Sequence, residues 1–339
     1  MKTIVFLTYL NRSGSTFLSA LLNQYEDIGV SLEAGLPDGI LRYPLNIGKK
    51  ADIGKVLNCL YADKKFSSWN IDRIHLQKLL EESTLPLKFS SLLTMLMKCY
   101  FDKRGVTPQI YIYKCGDYIN YLPVLRQIFP NSKVIFLIRD GRAVYNSQKK
   151  SFSSTTNKLM ETNPLRSAYK WRAVINCVKQ YCVENWFYCL KYEDLVSNPN
   201  ETLDRLLDFL KSNKKIFREK ENYFSAIPQS QKHLHHNIIN FPLSERICAW
   251  QNELNLQEIV IYEKYAGKVL REQGYKVCSD EALYNTQRFR CLYYKVDWVL
   301  SKIKYEFQAA VCISRFLDGI WAMMCKIKCV LTTLMLKGN

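Results

Sequence analysis

The chain opens with the apolar run Ile4-Val5-Phe6-Leu7, the loop Asn11-Arg12-Ser13-Gly14-Ser15-Thr16, and a second run, Phe17-Leu18-Ser19-Ala20-Leu21-Leu22. The first run reads as a buried parallel strand, and the last carries its apolar residues at helical spacing. A strand of that type needs helices on both faces, which commits the chain to an α/β architecture. Between them, a glycine, several hydroxyls and a guanidinium stand at the start of a helix. Exposed backbone N–H groups and the positive end of the helix dipole favour an anion there, most naturally a phosphate. The competing reading is an ordinary helix cap, since Ser and Thr are common capping residues.

This cradle is not a nucleoside-triphosphatase loop. That loop, G-x-x-x-x-G-K-[ST], needs a lysine for the terminal phosphates and a hydroxyl for magnesium. Here arginine precedes a single glycine and no lysine follows it. Farther along, Lys133-Val134-Ile135-Phe136-Leu137-Ile138 reads as another buried strand and runs into Arg139-Asp140-Gly141-Arg142, with Ser147 about two turns into the next helix. Ligands of open parallel sheets bind at the carboxyl ends of the strands. A guanidinium and a hydroxyl there suit a second phosphate group; the bland alternative is an Arg139 spent on Asp140 or another nearby carboxylate.

Together the two motifs resemble those of the sulfotransferases that use 3′-phosphoadenosine 5′-phosphosulfate (PAPS). Ile112-Tyr113-Lys114 with Tyr118, Leu122-Pro123 and Phe129-Pro130, then Leu190-Lys191-Tyr192-Glu193-Asp194-Leu195 with Asn198-Pro199, extend the likeness. Trp250, Leu254 and Gly274-Tyr275 complete it, so that it covers residues 1–277. The R-S-G-S-T loop is most similar to the carbohydrate and tyrosyl-protein branch. The resemblance implies a P-loop-type parallel sheet flanked by helices, with residues 278–339 left as a helical extension.

Position by position, the resemblance implies that Arg12 neutralises charge on the bridging oxygen as the sulfuryl group departs. Ser13, Gly14, Ser15 and Thr16 hold the 5′-phosphate, Arg139 and Ser147 the 3′-phosphate, and Tyr192 touches the adenine. Glu33 is placed as general base and Lys114 as a transition-state cation. Ser230, Lys232 and Arg246 stand near a late loop that the family uses, but Gln231-Lys232-His233-Leu234-His235-His236 departs from its pattern. Gly141 stands where many relatives carry proline. The product is 3′-phosphoadenosine 5′-phosphate, and no metal is required.

Sulfuryl transfer builds negative charge on the leaving phosphate and removes a proton from the acceptor. Fixed cations and a carboxylate base are the expected means, and Arg12, Lys114 and Glu33 supply both. The bland readings are a solvated or salt-bridged Glu33 and a Lys114 that snorkels to water.

The formal net charge of +17 suits polyanionic ligands. Its basic residues are dispersed rather than gathered into a recognition module, which argues against nucleic acid. The cysteines form no C-x-x-C pair, and several sit in apolar runs, as reduced core thiols do. With no leader-like segment before the first strand, they predict a reducing cytoplasm. His233, His235 and His236 lack a fourth ligand at metal-site spacing. Beyond Ala282, Trp298, Ile303, Phe307 and Val311 recur at helical spacing among basic residues. That segment either packs on the domain or on a second subunit, or lies on an anionic membrane surface.

The expected function is sulfuryl transfer from PAPS to a carbohydrate or glycolipid hydroxyl. Tyrosyl-protein or small-molecule sulfation, a P-loop kinase-like activity and non-catalytic nucleotide binding are the alternatives.

Overall fold

The computed structural model describes residues 2–34, 47–153, 156–216 and 245–311. Strands β1 (Thr3–Tyr9), β2 (Ile28–Val30), β3 (Ile110–Lys114), β4 (Lys133–Ile138) and β5 (Phe187–Lys191) form one sheet in the order β2-β3-β1-β4-β5. Every pairing is parallel, with Leu7 opposite Lys114 and Tyr9 opposite Leu137.

The side chains of β1 alternate between two packed layers. Phe6 joins Tyr113, Phe136, Trp69, Trp171 and Tyr262 on one face, beneath the helices of residues 53–102, Pro164–Val178 and Leu256–Glu272. Val5, Leu7 and Tyr9 join Leu18, Leu21, Ile112 and Leu206 on the other, beneath helices Ser15–Leu22 and Pro199–Leu210. Burial of both faces is why β1, β3 and β4 read as continuous apolar runs rather than alternating ones.

Parallel strands put their carboxyl ends along one edge of the sheet. β1 ends into the Arg12–Thr16 loop, β2 runs toward Glu33, β3 ends at Lys114, β4 precedes Arg139 and β5 precedes Tyr192. The fold thus gathers candidates scattered over most of the chain without any long-range motif.

One helix is shorter than its pattern. Periodicity over Lys158–Glu184 predicts a single helix, yet it runs from Pro164 to Val178. Asn163 caps it by accepting from the N–H groups of Leu165 and Arg166, and Pro164 occupies the first turn. Upstream, Phe152 and Leu159 pair in an antiparallel bridge instead.

The described part of the C-terminal segment forms helices Glu281–Thr286 and Arg288–Val311. Cys291, Tyr294 and Trp298 pack against Leu165, Tyr169, Ile261 and Tyr265, with the Tyr169 and Trp298 rings stacked at 4.6 Å. The Asn163 amide donates to the Tyr294 carbonyl and the Asp297 carboxylate, at 2.8 and 2.7 Å. Phe289, Leu292, Tyr293, Val296, Val299 and Leu300 remain exposed. Among the described residues, no helix is long and apolar enough to cross a membrane.

Candidate active site

The loop after β1 is shaped by backbone conformation before any side chain acts. Arg12 and Gly14 adopt positive φ angles of 78° and 94°. The second is the ordinary province of glycine, while the first is strained for arginine. A Cβ on Gly14 would also run into Cδ2 and Cε2 of Tyr192. Gly14 is the N-cap of helix Ser15–Leu22, and no side chain caps that helix. The ordinary-cap reading of Ser13, Ser15 and Thr16 therefore fails, and the helix N-terminus opens the loop toward an anion without a side-chain cap of its own.

Around this loop the cations converge. Arg12 Nε donates to Ser147 Oγ at 3.0 Å, and Arg139 Nη1 donates to the Arg12 carbonyl at 3.2 Å. The loop and the mid-chain motif are thus in direct contact, although 135 residues separate Arg12 from Ser147. As an acceptor from Arg12, Ser147 keeps its own O–H to donate elsewhere. Lys114 Nζ donates to Thr16 Oγ1 at 3.0 Å. Beyond it, Lys65 Nζ is paired with Glu33 Oε1 at 3.0 Å, both side chains being partly exposed.

Burial and like charge act on these groups in the same direction. Burial lowers the pKa of Lys114 to about 8; Glu33 opposes the shift, while Lys65 and Arg12 add to it. Arg12 is likewise lowered, first by burial and then by Arg139. A cluster that depresses its own cations gains from any bound anion.

Arg139 stands beside this cluster without a countercharge of its own. Asp140, the carboxylate next to it, is committed to Arg142: Nε and Nη2 of Arg142 reach its two oxygens at 3.0 and 2.7 Å. Glu263 takes Nη1 of Arg142, and the Trp250 ring lies 3.8 Å from that guanidinium. Glu193, also nearby, accepts from the Asp140 N–H at 2.9 Å and the Tyr275 hydroxyl at 3.1 Å, and burial raises its pKa. No described carboxylate lies within ion-pair distance of Arg139. Its guanidinium stacks 4.3 Å from the Tyr192 ring, Nη2 donates to the Arg246 carbonyl at 3.1 Å, and the buried Nε has no partner. A half-buried guanidinium with no ion-pair partner and an orphaned, buried Nε is a fit for a dianionic phosphate.

Tyr192 is 5% exposed and wedged against both Gly14 and Arg139. What the structure shows of it is a brace between the two anion-binding elements. Gly141 is explained by packing, because a Cβ there would meet the Tyr262 hydroxyl and the Trp171 ring. Arg246 contributes its backbone carbonyl. Ser230, Lys232 and the histidines at 233, 235 and 236 lie outside the described residues. Lys65 was not foreseeable as a partner of Glu33: it belongs to the short helix Lys64–Ser67, and no local pattern marks it.

The family profile described as "Sulfotransferase family" matches residues 5–213. Protein-tyrosine sulfotransferase A of Caenorhabditis elegans is 33% identical over 116 residues, which is 33% of this chain and 26% of the relative. A Caenorhabditis briggsae protein named for the same activity is 23% identical over 212 residues, covering 62% of this chain and 65% of the relative. The chain thus spans less than two thirds of the length of either relative. Among solved structures, the sulfotransferase domain from the curacin biosynthetic pathway superposes with a TM-score of 0.55 at 20% identity, covering 82% of this chain and 99% of that one.

Proposed function

The chain belongs to the sulfotransferase family, and from that premise we propose that it transfers a sulfuryl group from PAPS to the phenolic hydroxyl of tyrosine in a protein or peptide. The observation that carries the reading is Arg139, half-buried beside the Arg12 loop with no carboxylate partner among the described residues and a buried, unused Nε. PAPS supplies the activated sulfuryl group. Arg139 and Ser147 would hold its 3′-phosphate, and the Ser13–Thr16 backbone and hydroxyls its 5′ end. Arg12, hydrogen-bonded to Ser147, would lie between the two and act on both.

Lys65 holds Glu33 Oε1 and so orients the carboxylate. A carboxylate within reach of the acceptor can take its hydroxyl proton in the transition state, an effect worth ~10²–10⁴-fold. Lys114, one hydrogen bond from Thr16, stabilises charge on the departing phosphate side. A preorganised cation in a water-poor site is more effective there than in bulk water.

The acceptor moves from the sugar hydroxyl expected from sequence to tyrosine on two grounds. The two Caenorhabditis relatives described above are named for protein-tyrosine sulfation. A phenol, with a pKa near ~10, also gives up its proton to a carboxylate more readily than a sugar alcohol does. The test is transfer of labelled sulfuryl from PAPS to a tyrosine-containing peptide and, separately, to a mixture of glycans. Labelling of the peptide, lost ~10²-fold or more in Glu33→Gln, supports the proposal. Labelling confined to glycans would return the acceptor to carbohydrate. No turnover on either, or an unaffected Glu33→Gln, would remove the catalytic reading.

A further inference from the structure

Away from the cation cluster, Cys182 and Cys189 face each other with their sulfurs 2.9 Å apart. Cys182 follows the short turn Lys179–Tyr181 that continues helix Pro164–Val178, and Cys189 lies on β5. Among the described residues β5 is an edge strand, paired with β4 alone. Both residues are exposed, and Val183 between them is 88% exposed, so nothing described shields the pair from a soluble oxidant. Two thiols in contact have the sulfur–sulfur proximity that disulfide formation starts from.

We propose that Cys182 and Cys189 are a dithiol–disulfide site that an oxidised low-molecular-weight disulfide, such as glutathione disulfide, closes into an intramolecular bridge. Cys182 is the attacking group, because its hydrogen bond with Cys189 lowers its pKa to about 7, and the thiolate is the nucleophile. The Cys182 thiolate attacks one sulfur of the glutathione disulfide, forming a mixed disulfide and releasing one glutathione thiolate. Cys189 then loses its proton and attacks the Cys182 sulfur, expelling the second glutathione. The protein loses two hydrogens and the oxidant becomes two molecules of glutathione. The bridge ties the end of helix Pro164–Val178 to the strand that leads directly into Tyr192. It therefore braces both elements beside Arg139, whose carbonyl accepts from Trp171 of that helix.

The experiment oxidises the full chain in glutathione buffers of graded ratio, blocks remaining thiols by alkylation, and maps the peptides without reduction. The expected result is a Cys182–Cys189 cross-linked peptide, with both residues lost to alkylation while Cys177, Cys248 and Cys278, also exposed, do not pair with either. Cys189→Ser should instead trap a stable glutathione adduct on Cys182. The proposal is overturned if Cys182 and Cys189 remain alkylatable after the other exposed thiols have reacted, or if Cys182 pairs elsewhere. The wild-type map decides the matter even if the serine variant fails to fold.

Discussion

The turn after β4 has an inner end at Arg142 and an outer end at Arg139, and the two are treated in opposite ways. At the inner end the guanidinium is buried but fully matched: Asp140 and Glu263 flank it, Trp250 covers it, and Glu263 is further held by the Cys278 and Ser279 N–H groups. At the outer end the guanidinium has an aromatic ring, two carbonyls and an orphaned Nε. A protein that can neutralise one arginine this completely leaves its neighbour unmatched at a cost. The difference separates a charge that serves the fold from a charge kept for a ligand.

The largest expected effect lies at the inner end. Arg142→Ala strands Asp140 and Glu263 as buried charges and should cost about 3–5 kcal/mol of stability, read from denaturant unfolding. A near-silent Arg142→Ala would erase the contrast. Arg139→Ala should leave unfolding almost unchanged and weaken 3′-phosphoadenosine 5′-phosphate by about 1.5–3 kcal/mol, the worth of hydrogen bonds to a charged group. Gly14→Ala comes next: a left-handed φ and the Tyr192 ring both oppose a side chain, so about 1–2 kcal/mol of bisphosphate affinity should be lost through displacement of the loop. A loss confined to stability would make the loop structural.

The smallest effect is a pH dependence. Lys114 binds its proton less tightly when folded, at about 8 against 10.5 unfolded. Between those values the unfolded chain holds more protons, so stability rises with pH through that window. A bound bisphosphate favours the charged lysine and should raise its pKa. Bisphosphate affinity should therefore fall as pH climbs through ~8, by at most tenfold per unit, and Lys114→Arg should flatten that limb in calorimetric titrations.

Much of the fold was legible because it is written locally. The strands at Ile4–Leu7 and Lys133–Ile138 are unbroken apolar runs, and the first loop carries its glycine where the backbone turns left-handed. The start of helix Pro164–Val178 was overrun because periodicity is blind to a cap, whereas Asn163-Pro164 ends the pattern through specific hydrogen bonds. In the site, sequence placed Arg12, Lys114 and Arg139 at strand ends but left open whether Asp140 would take Arg139. That choice is made by Glu263 and Trp250, more than a hundred residues away. The Lys65–Glu33 pair and the Cys182–Cys189 contact were illegible for the same reason: each depends on how separate elements come to rest.

Calorimetric titration of 3′-phosphoadenosine 5′-phosphate and of adenosine 5′-monophosphate into wild type and Arg139→Ala tests the central claim most directly. One ligand spanning the Arg12 loop and the Arg139–Ser147 pair predicts that wild type strongly prefers the bisphosphate and that Arg139→Ala binds both nucleotides alike. A preference that survives in Arg139→Ala, or wild type that binds the two equally, would contradict it.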